Sequence, residues 1–150
     1  YPLARYSAAM TYDSRRGVTV MHGGTVEANG DTWERNAAGV WTHRTRSGPG
    51  YRSGHAMAFD SIRGVSVLFG GTNNTETWEW DGVIWSRRAT TGPTWRTGHA
   101  MAFDSSRGVT VLFGGDGDGA NQTWEWTGTN WFLRSLTGPP SRAGQAMPIR

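Results

Sequence analysis

The side chains best suited to chemistry recur in pairs. Arg52 precedes His55 by three residues, and Arg96 precedes His99 in the same way. A guanidinium offers a planar fork to carboxylates and phosphates, and an imidazole carries protons or ligates metals. With Arg5 and Arg142 in equivalent places, these groups would ring one opening and hold an anionic ligand or an acidic peptide. The structural alternative is an internal bond from each Arg to a backbone carbonyl, or to Asp13, Asp60 or Asp104. Recurrence favours that alternative, because a structural role is needed in every repeat. Ala8 and Gln145 replace the two histidines in the other copies, and no third ligand accompanies His55 and His99, so no metal is expected there. Trp95 is a further contact candidate: it falls in a linker and has no repeat-wide counterpart.

The run Asp116-Gly117-Asp118-Gly119-Ala120-Asn121 places oxygen ligands at alternate positions. Asp116, Asp118 and Asn121 therefore form an incomplete calcium pattern, without the bidentate Glu that closes the twelve-residue loop. A polar hairpin loop of variable length accounts for the same residues, and variable loops often carry specificity. Asn73-Asn74-Thr75 and Asn121-Gln122-Thr123 match the glycosylation acceptor pattern and are read as chance. The chain contains no Gly-rich phosphate loop, no G-x-S-x-G elbow and no paired-His metal motif. No catalytic residue and no cofactor are expected.

These residues are set out by an internal repeat. Arg52-Ser53-Gly54-His55-Ala56-Met57-Ala58-Phe59-Asp60 returns as Arg96-Thr97-Gly98-His99-Ala100-Met101-Ala102-Phe103-Asp104, with a looser copy from Arg5. Repeats run over about 5–51, 52–95 and 96–141, and a fourth begins at 142–150. In the second copy, strands are expected over 55–59, 65–69, 77–80 and 84–88. Val65 to Phe69 is nearly all apolar, as a strand buried on both faces should be. Thr77-Trp78-Glu79-Trp80 alternates polar and aromatic, and Asp81-Gly82 is a hairpin signal. Four strands in one repeat make a sheet with two faces to cover, and packing sheets side by side covers them. One face of each Trp strand must then be core, which is the place expected for Trp33, Trp78, Trp124, Trp41, Trp85 and Trp131.

Composition agrees. The 150 residues include 22 Gly and nine Trp, and no run has helical apolar spacing. Every basic residue is Arg, and the net charge of +3 is spread along the chain without a basic block, so no nucleic-acid partner is expected. The absence of Cys excludes disulfides and thiolate chemistry from this stretch. No apolar run approaches membrane-spanning length, and no membrane partner is expected. No signal peptide is visible at Tyr1, and any targeting segment is expected to be already gone. The Arg-only, Ile-poor composition suggests a bacterial source with a GC-rich genome. A secreted or cell-surface location is a separate expectation that composition does not decide.

Gly23-Gly24, Gly70-Gly71 and Gly114-Gly115 each close an apolar strand, and the pairs Trp80 with Trp85 and Trp126 with Trp131 follow. This pattern resembles the kelch repeat over essentially the whole chain. It departs in carrying Trp for the usual Tyr, and Arg35 where the later repeats have Trp80 and Trp126. The resemblance implies an all-β, kelch-type β-propeller of three four-stranded blades, either a partial ring or half of a six-bladed assembly. It implies a non-catalytic scaffold that binds a protein or glycan through its loops. One alternative is a carbohydrate-processing enzyme with a site across blades. Another is a self-assembling unit that completes its ring by oligomerisation.

Overall fold

The structure is a computed structural model that describes residues 1–25 and 30–147. The middle of the 25–31 loop and the end of the fourth repeat start lie outside the described residues. The described chain is all-β: twelve strands form three four-stranded antiparallel sheets, each a meander in chain order. The first sheet holds β1 (Ala9–Asp13), β2 (Val18–His22), β3 (Thr32–Arg35) and β4 (Trp41–Thr45). The second holds β5 (Ala56–Asp60), β6 (Val65–Phe69), β7 (Thr77–Trp80) and β8 (Trp85–Ala89). The third holds β9 (Ala100–Asp104), β10 (Val109–Phe113), β11 (Thr123–Trp126) and β12 (Trp131–Ser135). The two inner strands of the second repeat, β6 and β7, match expectation at both ends, and the outer strands β5 and β8 match it to within a residue.

Local chemistry sets each turn. Asp60 closes β5 because its carboxylate accepts the backbone N–H groups of Ile62 and Arg63 at 3.0 and 2.9 Å. Asp13 and Asp104 do the same in the other sheets. At the far end of the second strand, Gly70 and Gly71 take φ of 74° and 101°, a left-handed backbone that a residue with a Cβ adopts only under strain. The pairing of the third and fourth strands shifts register in every sheet, where the fourth strand carries one extra residue, Arg44, Arg88 or Arg134, opposite the step after Thr32, Thr77 and Thr123.

The first strands β1, β5 and β9 pack side by side. Between the first two sheets, Val20 meets Met57, Leu68, Trp80 and Trp85. Between the second and third, Ala58, Val67 and Phe69 meet Met101, Leu112 and Trp126. Trp80 and Trp126 are the largest fully buried side chains. Trp33 and Trp41 lie on the first sheet, belong to neither core cluster and are half-buried.

Both interfaces are fastened by the same polar bonds. The Trp80 indole donates to Glu34 at 2.9 Å, and the Trp126 indole donates to Glu79 at 3.0 Å. The Trp85 indole reaches the Thr32 hydroxyl, as Trp131 reaches Thr77. Each Glu also binds two Arg of its own sheet: Arg16 and Arg44 for Glu34, Arg63 and Arg88 for Glu79, and Arg107 and Arg134 for Glu125. A buried carboxylate is tolerated because every oxygen is engaged by a charged or indole donor. Residues 142–145 repeat the pattern on the third sheet. Gln145 donates to the Phe113 carbonyl at 2.8 Å, the place His99 takes on Phe69, and Gly115 donates to the Arg142 carbonyl.

Candidate functional site

Meander topology places two kinds of loop at opposite ends of the sheets. Asp60 to Gly64 and the Asp81 hairpin lie at one end. The Gly-Gly loops and the linkers between repeats lie at the other, because each begins or ends where a second strand stops beside a first strand starting. The second end carries Arg5, Arg52, Arg96, Trp95 and the 116–121 loop. Sequence spacing foresaw this for the repeat-start arginines; that Trp95 and the 116–121 loop share their end comes from the strand topology.

The structure resolves what each Arg touches. Arg5 donates to the Gly23 carbonyl at 3.1 Å and to Asp31 at 2.6 Å. Arg52 is 1 % exposed and donates to the carbonyls of Gly70 at 2.9 Å and Pro49 at 2.5 Å, and to Glu76 at 3.1 Å. Arg96, wholly buried, donates to Gly114 O, Thr94 O and Thr94 Oγ1, each at 3.3 Å. The carbonyl partners are those of the structural alternative. The aspartates are a correction: Asp13, Asp60 and Asp104 pair with Arg16, Arg63 and Arg107 at the opposite end, three residues from each in sequence. Burial pushes the Arg52 guanidinium below its ordinary pKa, partly offset by Glu76, whereas burial alone pushes Arg96 down.

The histidines lie inside the stack. His55 Nε2 meets the His22 carbonyl at 3.0 Å, and His99 Nε2 meets the Phe69 carbonyl at 3.1 Å. These carbonyls accept, so Nε2 carries the proton in both rings. Burial, with Arg96 adding to it, holds His99 down to about 4, and burial holds His22 down to about 4 as well. His55 is pushed well below the ordinary imidazole value, first by burial and then by His22 and Arg52. Among the described residues, no group of three or more His, Asp and Glu side chains is placed to hold a metal ion. Asp116, Asp118 and Asn121 are exposed. The Asn121 side-chain amide donates to the Leu136 carbonyl, and the Asp118 carbonyl accepts from the Thr94 hydroxyl at 2.5 Å.

Trp95 is 46 % exposed at this end. Tyr51, 59 % exposed, stands immediately before Arg52 as Trp95 stands before Arg96. Trp95 therefore has one counterpart, which a search for identical residues overlooks and a search for aromatic character finds. Thr94 and Gln122 were also missed, because each departs from its repeat-mates by one ordinary polar residue.

A second feature is a cavity of about 230 Å³ lined by the middle of β1, β5 and β9, including Met10, Met57, Phe59 and Met101. A scan against protein-family models returns no match, and a search of curated proteins returns none.

Proposed function

We propose that this chain is part of a kelch-type β-propeller and works as a non-catalytic binding scaffold through the loop end that carries Tyr51 and Trp95. One observation carries the reading: two large aromatics project from the same place in successive repeats, beside Gly-Gly loops of different length. Rigid rings displayed at low entropic cost suit a sugar face or an apolar peptide side chain. The first-strand packing and the repeated cross-sheet bonds supply the rigid frame such a surface needs. The cavity along β1, β5 and β9 would be the axial channel of the propeller. The test is a glycan array run beside a protein-binding screen, using the wild type and Tyr51→Ala/Trp95→Ala. A ligand retained by the wild type and lost by a variant with unchanged unfolding temperature supports the reading. Conversion of free sugars to product would overturn it in favour of an enzyme.

A second reading, ring completion by self-association, rests on the faces of the outer sheets. Glu125 and Thr123 receive no indole among the described residues, unlike Glu34 with Thr32 and Glu79 with Thr77. Arg35 stands exposed on the first sheet where Trp80 and Trp126 stand in the others. Light scattering would give twice 16.4 kDa for a pair of half-rings, and a monomer would overturn self-closure.

A further inference from the structure

In the three complete repeats, the start arginines Arg5 and Arg52 face a carboxylate of their own repeat, and Arg96 does not. Asp31 answers Arg5 and Glu76 answers Arg52, but the equivalent residue for Arg96 is Gln122. Gln122 keeps one part of the arrangement: its side-chain oxygen accepts the Trp124 indole at 3.0 Å, as Glu76 accepts Trp78 and Asp31 accepts Trp33. It makes no bond to Arg96. Among the described residues no carboxylate lies within ion-pair distance of this guanidinium, and its three acceptors are neutral and stand at the long edge of hydrogen bonding. A guanidinium stays charged at any ordinary pH, and a wholly buried charge is normally paired.

Arg96 is covered by loop rather than by sheet. Thr94 and Trp95 are exposed, and so are residues 116–118, which lie over the arginine. Gly117 lies so close that a Cβ there would stand 2.7 Å from the Trp95 carbonyl. The Thr94 hydroxyl joins the two layers, accepting from Arg96 and donating to the Asp118 carbonyl. The cover is otherwise held by the backbone pair between Thr97 and Asp116. Between Gly115 and Thr123 the loop is two residues longer than its counterpart between Gly71 and Thr77.

We propose that Arg96 is a binding site for a carboxylate group, which enters beneath the 116–118 segment and takes the place that Glu76 fills in the preceding repeat. The incoming carboxylate accepts from the guanidinium Nη2, which now turns to Thr94. Trp95 lies beside the entrance, so the ring of a carboxylated sugar would find an aromatic face there. The site shares an end with the proposed binding scaffold but stands independently of it.

Sodium acetate and sodium D-glucuronate, set against sodium chloride of equal ionic strength and against D-glucose, test the proposal by thermal unfolding and calorimetric titration of the whole chain. Both carboxylates should raise the unfolding temperature of the wild type saturably, and chloride and glucose should not. Gln122→Glu supplies the carboxylate from within; it should unfold at a higher temperature than the wild type and bind acetate about tenfold more weakly or worse, a loss of about 1.4 kcal/mol. D-Glucuronate binding tighter than acetate, with the difference lost in Trp95→Ala, identifies a sugar acid; equal binding identifies the carboxylate alone. Equal effects of chloride and acetate, or a Gln122→Glu protein that responds as the wild type does, would overturn the proposal. So would Asp118→Asn lowering the unfolding temperature as much as Glu76→Gln, because the loop's own carboxylate would then serve Arg96. A glycan or protein captured through Tyr51 and Trp95 without any carboxylate response would overturn this site and leave the scaffold reading intact.

Discussion

The second and third repeats share the Arg-x-Gly-His start, the Ala-Met-Ala-Phe-Asp strand and the Trp-Glu-Trp strand, yet they differ in how their charges are settled. In the second, Glu76 neutralises buried Arg52, and Glu79 holds Arg63, Arg88 and the Trp126 indole. In the third, among the described residues, Arg96 has neutral acceptors only, and Glu125 holds Arg107 and Arg134 with no indole. Sequence identity in a repeat fixes backbone geometry, whereas the energetic state of each copy depends on what its neighbours bring.

The largest expected contrast is between the two glutamates. Glu79→Ala strips a buried indole and two guanidinium groups of their acceptor, and should cost about 2–3 kcal/mol at a position where buried donors lose a charged partner. Glu125→Ala strands no indole, and its two arginines are half in water, so it should cost about 1 kcal/mol or less. Chemical denaturation of both variants measures the difference, and equal losses would mean that the Trp126 bond contributes nothing.

Histidine titration sharpens the comparison at the next level. His99 stays neutral when folded down to about pH 4 but takes up a proton near 6.5 when unfolded. The unfolded state binds more protons across that window, so stability falls as pH drops from 6.5 to 4, by about 1.4 kcal/mol per unit for each such group. Gln145 already makes the equivalent bond to the Phe113 carbonyl. His99→Gln should therefore keep the bond and flatten the pH dependence of the unfolding free energy within this window. An unchanged slope would show that His99 is not the titrating group.

The smallest effect concerns Glu76. Burial opposes its ionisation, but the Trp78 indole, Arg87 and Arg52 outweigh burial and hold its pKa below the ordinary 4.5. A depressed carboxylate stabilises the fold above its unfolded pKa and ceases to do so as pH falls through its folded one. Glu76→Gln makes the second repeat resemble the third. It should lower the unfolding free energy by about 1 kcal/mol at pH 7, and the gap should close as pH falls below about 4. A gap constant with pH would assign the loss to packing rather than charge.

Much of this was legible in the chain. Val65–Phe69 read as a strand buried on both faces because all its residues but Ser66 are apolar, and Gly70-Gly71 read as a strand end because only glycine turns there without strain. The Arg starts were placed at one end because each holds the same place at the head of its repeat's first strand. The partner of each group was not legible. Glu34 and Trp80 stand 46 residues apart, and neither side chain carries a sign of the other. Asp60 looked like a partner for Arg52 because both belong to one repeat, but a five-residue strand carries it to the opposite end, where Arg63 meets it.

By itself, then, the sequence determined the local geometry: strand lengths, turn positions and the spacing of four strands per repeat. These follow from backbone sterics and hydrophobic alternation, which act over a few residues. Only the tertiary structure decided which charges are answered. Gln122 differs from Glu76 by one amide and reads as ordinary loop variation. Its consequence, a buried Arg96 facing neutral acceptors, exists only once packing has removed that guanidinium from water and made the missing counter-charge costly.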